Sequence, residues 1–144
     1  MSLLPPNIAT ENACYALALS ASNANGFNGI LNIYKGFNNT SKTAPCVIVS
    51  ATEARNEIHN IAIYKVKTDI IVKEIAFDTT ASNIGYTAST IYQAFLNGNN
   101  TIQFLNNTNS GSYYVYDMML NHIVNEEEGD AWVQTLSFDI VCAV

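Results

Sequence analysis

YVYDMMLNHIVNEEEGDAWVQTLSFDIVCA, Tyr114–Ala143, is the stretch on which the fold turns. Alternation places Tyr114, Tyr116, Met118, Leu120, His122 and Val124 on one face of a strand. A second strand puts Trp132, Leu136, Phe138, Ile140 and Cys142 on one face. The intervening NEEEGD reads as a solvated turn in which Gly129 supplies a permissive backbone, so the chain is predicted to close with a β-hairpin. Glu126, Glu127, Glu128 and Asp130 lack the alternating acid-and-glycine pattern that sets oxygens around Ca²⁺. Like charges in a run repel and prefer water, which favours a turn over a metal site.

Working outward, IHNIAIYKVKTDIIVKEIAF is the longest strand signal, spanning about residues 58–76. It sets Ala62, Tyr64, Val66, Ile70 and Val72 against Lys65, Lys67, Asp69 and Lys73 on the opposite face. Unbroken, it would run roughly 60 Å at about 3.3 Å per residue, so it either bends or projects at one end as an arm. CVIVSA reads as a buried strand entered at Pro45, and GILNIYKGF as a short strand before it. A helix is predicted over residues 8–22, capped by Asn7, with Ile8, Asn12, Tyr15 and Leu19 on its apolar face and Ala13, Ala16 and Leu17 widening the stripe. A second helix follows TTAS, with Ile84, Ala88, Ile91 and Phe95 in one row and Gly98 as its stop. TIQFL, after it, reads as a strand. The class is therefore α+β.

A chain of 144 residues fits one domain, residues 1–144, with room for one core. Only 12% of residues are charged, which leaves little repulsion between copies and favours association. The net charge of -6 argues against general attraction to nucleic acid or anionic membranes. All six cations precede residue 74, and the acids after it have no cation among them. Cys14, Cys46 and Cys142 lie in apolar stretches without C-x-x-C spacing and are expected to be free, buried thiols in a reducing compartment. MSLLPPNIAT lacks the basic and apolar regions of a secretory signal, and no apolar run reaches transmembrane length. A soluble, cytoplasmically made protein is expected.

No local device for catalysis is legible. His59 and His122 have no second ligand at metal spacing, no G-x-S-x-G elbow or phosphate-binding glycine loop occurs, and the aromatics fall mostly on strand faces. The expectation is no catalytic residues, no cofactor and no metal, hence not an enzyme.

Several words in this order resemble a family of tailed-bacteriophage tail-terminator or tail-completion proteins, which join head to tail. They are NIYKG (32–36), APCVIV (44–49), the long strand with AFDTT (76–80), and AWVQTLSFDIVCA (131–143), which is similar to that family's Trp-containing last strand. The resemblance implies a mixed, mostly antiparallel sheet with two helices packed on it. It implies a structural virion protein, assembled in the host cytoplasm as a homo-oligomeric ring, commonly of six copies, which ends the tail tube. Its partners would be the tail tube protein and a head-completion or connector protein, with no membrane, and DNA only passing through the lumen. The alternatives are a head-closure or connector ring in the neck, or a small cytoplasmic ligand-binding α+β domain. Under the ring reading, Lys65, Lys67 and Lys73 on one copy are expected to meet Glu126, Glu127, Glu128 and Asp130 on the next. Closed head-to-tail rings require two different patches of this kind.

Overall fold

The computed structural model describes residues 4–24, 32–36, 46–56, 62–75, 86–108, 113–128 and 131–144. They form α1 (Pro6–Ala24), β1 (Asn32–Lys35), β2 (Cys46–Arg55), β3 (Ile63–Ile75), α2 (Tyr86–Phe95), α3 (Asn99–Thr108), β4 (Tyr114–Glu128) and β5 (Ala131–Ala143). The five strands make one sheet in the order β1-β2-β3-β5-β4. β1 and β2 are parallel and the other pairs antiparallel, so the α+β class holds, with a mixed and mostly antiparallel sheet and a closing hairpin.

β3 is central rather than an arm. Each of its described residues, from Ile63 to Ile75, pairs with β5 without interruption, while β2 lies along its other side. Because side chains alternate across a strand, this register sends Val66, Ile70 and Val72 to one face together with Leu136, Phe138, Ile140 and Cys142. All seven are buried there, under the helices. Lys65, Lys67, Asp69 and Lys73 go to the other face, as their alternation predicts. His59 lies outside the described residues.

α1 begins at Pro6, the first-turn position where proline's fixed φ and missing N–H do no harm, so Asn7 lies inside the helix and does not cap it. Its buried face also differs from the expected one. Ala9, Ala13, Cys14, Leu17, Ala18 and Ala21 turn inward, while Leu19 is exposed and Ile8 and Tyr15 are half-buried. Small side chains let the helix axis approach the sheet closely, and larger ones at the flanks fill the edges of the contact.

Glu11, the one charged residue of α1, is buried on that face. It reaches a β-bulge between Ala51 and Glu53 in β2, where Ala51 N–H donates to Glu11 Oε1 at 3.3 Å. A bulge leaves ladder groups without strand partners, and the carboxylate supplies one.

TIQFL is helical, not a strand. Thr101 and Leu105 are buried four residues apart, a helical interval, which the alternation of Ile102 and Phe104 conceals. Gly98, at φ +57°, ends α2 and lets α3 start at once. Thr101 pins the corner: its hydroxyl accepts from Asn97 N–H at 3.1 Å and donates to Ala94 C=O at 2.7 Å. In α2, Ile91 and Phe95 are buried as their spacing predicts, while Ile84 lies outside the described residues. A third helix thus joins the two expected.

Gly36 follows β1 and donates its N–H to Val49 C=O at 2.8 Å. A Cβ there would lie 2.6 Å from Ser50 Oγ and 2.9 Å from Ser50 Cβ, so close approach of backbone to β2 is what calls for glycine.

Thr68 is fully buried on the core face of β3, and its hydroxyl has no hydrogen-bond partner among the described residues. Thr68→Val removes that desolvated group with little change of shape and is expected to raise stability by about 1 kcal/mol. Glu11→Ala strands the Ala51 N–H and is expected to cost about 1–3 kcal/mol. Urea unfolding of both variants measures each effect.

Candidate functional site

Lys65 and Lys67 lie at one end of the outer sheet face, beside Arg55 on β2 and Asp139 on β5. With Glu53 they line an open hollow of about 280 Å³. Arg55 Nε donates to Glu53 Oε1 at 2.6 Å, and Lys65 Nζ lies 3.8 Å from Asp139 Oδ2. Lys67 pairs in register with Glu53 on one side and Asp139 on the other. The expected basic patch is thus interleaved with acids of its own chain. Exposed ion pairs of this kind add little stability, but they do neutralise the field that an incoming acidic surface would meet.

Lys73 does not belong to this group. It lies eight residues along β3 from Lys65, roughly 26 Å at about 3.3 Å per residue. Its row across the sheet runs through Val133 to Glu126, so it shares the opposite end with the acids.

The acids occupy strand rather than turn. Asn125, Glu126, Glu127 and Glu128 pair with Gln134, Val133, Trp132 and Ala131, leaving only residues 129 and 130 between β4 and β5. Asp130 lies outside the described residues, as does Gly129. Successive strand residues point to opposite faces, so Glu126 and Glu127 do not form one carboxylate cluster. Among the described residues no group of three or more His, Cys, Asp or Glu is placed to hold a metal ion.

The face expected for β4 is overturned by two bulges, between Val115 and Asp117 and between Leu120 and His122. Each adds one residue and reverses the alternation beyond it. Val115, Met118, Leu120, Ile123, Asn125 and Glu127 consequently share the helix-side face, opposite Cys142, Ile140, Phe138, Leu136, Gln134 and Trp132. Tyr114 and Tyr116 turn to the outer face, where their rings pack edge to face with centroids 4.8 Å apart. They are 54% and 62% exposed. Met119 and Val124 on that face, and Leu120 and Ile123 on the other, are exposed as well. The helices reach β4 only near its start, so most of this strand stands beyond the core with apolar side chains on both faces. Paired aromatic residues in the open are the usual content of a protein contact rather than of a solvated strand.

A groove of about 570 Å³ runs between α1 and β1, lined by Ile8, Asn12, Tyr15, Ile33, Tyr34 and Lys35, with Glu11 at its base. Lys35 Nζ donates to Asn12 Oδ1 at 2.6 Å and lies 5.0 Å from the centre of the Tyr15 ring. The cation is committed to holding β1 against α1. Sequence reasoning passed over Glu11, although a lone acid in an otherwise uncharged helix was the signal that could have found it.

Cys14, Cys46 and Cys142 are free and buried. Burial, with a smaller contribution from Glu11, pushes the Cys14 thiol up to about 12. Burial also raises Cys142, opposed by a hydrogen bond with Thr10. A thiolate is the nucleophilic form, so these are packing groups. No helix among the described residues is long and apolar enough to cross a membrane. No protein-family model matches the chain, and no curated protein matches it.

The unfolded Cys14 thiol ionises near its ordinary 9.0 and the folded one near 12. Its contribution to stability is therefore full below pH 9 and is lost as pH rises towards 12. Urea midpoints between pH 8 and 11 should fall less steeply for Cys14→Ala than for the parent, and iodoacetamide at pH 8 should label Cys14 only after unfolding.

Proposed function

We propose that this protein is a structural virion subunit, one copy of a homo-oligomeric ring that ends a phage tail tube and joins it to the head. The observation that carries this reading is the uncovered apolar surface of β4, with Tyr114, Tyr116 and Met119 exposed on one face in a chain whose charged content is only 12%. A fold that leaves such a strand outside its own core is suited to burying it against a neighbour. The resemblance adds support: NIYKG ends in the glycine that β1 needs beside Ser50, and AWVQTLSFDIVCA is the strand that holds β3 and β4 together. Ring closure would then bury the aromatic patch of each copy against the next. The role needs no catalytic group, and none is assigned.

Because Lys65 and Lys67 already face Asp139 and Glu53, the contact between copies rests on the aromatic patch. The expected pairing of Lys65 and Lys67 with Glu126, Glu127, Glu128 and Asp130 would bring acids onto a surface that already carries them, and Lys73, the third cation of that expectation, lies in the row of Glu126 on its own chain.

Multi-angle light scattering of the purified protein, alone and with the tail tube protein, tests the reading, with negative-stain imaging of any assembly. A closed ring of several copies is expected. Tyr114→Ser with Tyr116→Ser should leave the circular dichroism spectrum intact and lower ring stability by at least about tenfold in concentration, the scale of a hot-spot residue pair. A monomer under both conditions, or a ring indifferent to both tyrosines, would sink it.

A further inference from the structure

β4 is the outermost strand, fifteen residues long, and the fold treats the two halves of its free edge differently. At Val115 the side-chain amide of Asn106 stands in for a neighbouring strand. Its Oδ1 accepts from Val115 N–H at 2.5 Å and its Nδ2 donates to Val115 C=O at 3.1 Å. At Met118 the N–H donates to Asp117 Oδ1 at 2.9 Å. In an antiparallel ladder the backbone groups of alternate residues point away from the paired strand, and Val115 and Met118 mark that set. Carried through the second bulge, it continues with Leu120, Ile123, Asn125 and Glu127. Among the described residues no strand, helix or side chain closes the backbone edge at these four.

The open half also lacks much of the usual protection. Of the devices that keep edge strands single, β4 has no lysine, no proline and is not short; it has two bulges and the acids at its far end, and the span between the second bulge and those acids is apolar. Met119, Leu120, Ile123 and Val124 are 36–41% exposed, on both faces of the strand. At its end stand Glu126 and Glu127, and no cation occurs anywhere in β4.

That charge decides what can add to it. Paired in parallel and in register, two β4 edges would set Glu126 and Glu127 against their own copies; paired antiparallel across residues 120–127, they would set them beside Asn121 and Leu120, and in neither case does β4 offer a Lys or Arg to answer them. The opposite edge of a second copy, β1, has four residues, and its Lys35 is held by Asn12. Neither edge of another copy fits. We propose that the open edge of β4, Leu120 to Glu127, receives an extended segment of a different protein as a sixth strand, apolar where it passes Leu120, Ile123 and Val124 and carrying Lys or Arg where it passes Glu126 and Glu127. Main-chain hydrogen bonds supply the affinity, and the basic end sets register and direction. This surface is the edge of β4, separate from the Tyr114 and Tyr116 patch on its outer face.

Two fluorescein-labelled peptides probe the site, KKTVTVTVT and its acidic counterpart EETVTVTVT. Anisotropy at low salt should show the basic peptide binding about tenfold or more tighter, a preference that shrinks in 1 M NaCl. Hydrogen exchange should slow within residues 120–127 when it binds. Ile123→Pro removes an outward N–H that β5 does not use, which an edge strand tolerates, and should abolish binding with the fold retained. Glu126→Lys with Glu127→Lys should reverse the preference between peptides. Equal or absent binding of the two peptides overturns the proposal, as does binding that leaves residues 120–127 unprotected or survives Ile123→Pro. Self-association that Ile123→Pro abolishes would assign the edge to a second copy and equally overturn it.

Discussion

The ladder between β3 and β5 is the constraint on which the other placements depend. Its thirteen consecutive pairs run from Ile63 with Ala143 to Ile75 with Ala131 without a bulge. A slip of one residue would carry Leu136, Phe138 and Ile140 to the outer face and bring Ser137 and Asp139 under the helices. The burial of those three side chains therefore holds the register. β2 and β4 then attach to opposite sides of a frame already aligned, and both do so with bulges. Irregularity is tolerated in the outer ladders because the central one has none. The last strand of the chain thus sits in the interior of the sheet, between strands far from it and next to it in sequence.

Each bulge has a different consequence. In β2 it meets α1, and Glu11 supplies an acceptor to a backbone group that the ladder leaves over. An acid inside a small-residue helix face is thereby explained by the sheet it packs on. In β4 the two bulges reverse the alternation twice, turning Tyr114 and Tyr116 outward and leaving the far half of the strand apolar on both faces. The helices do not extend over that half. Its side chains are consequently available to other chains, and the interest of the protein lies there more than in its grooves.

Charge was distributed along the chain in a way that suggested two opposed patches, but folding redraws them. Asp139 comes from the acidic half, and β5 delivers it next to Lys65 and Lys67. Glu53 approaches the same lysines from β2. Lys73, grouped with them by alternation, lies at the other end because a strand separates residues along its axis even when they share a face. The acidic end of β4 has no Lys or Arg on its own strand, and Lys73 shares that end of the sheet two strands away, in the row through Val133 to Glu126.

Residue patterns alone determined the elements whose period is clean: the long strand β3 and its two faces, though not its central place, the buried face of β5, the row of Ile91 and Phe95, the free thiols, and the α+β class. These follow from local alternation and spacing, which one chain segment carries by itself. Other features depended on contacts between distant segments. TIQFL alternates like a strand, yet the corner at Gly98 and Thr101 makes it a helix. The inward face of α1 is its alanine face because closeness to the sheet outweighs side-chain size. The faces of β4 are set by bulges that register against β5 introduces, and the acids of NEEEGD are held in strand by Ala131 to Gln134 opposite them. Periodicity specifies which residues can share a face, and only the tertiary pairing decides which face is covered and which is left for a partner.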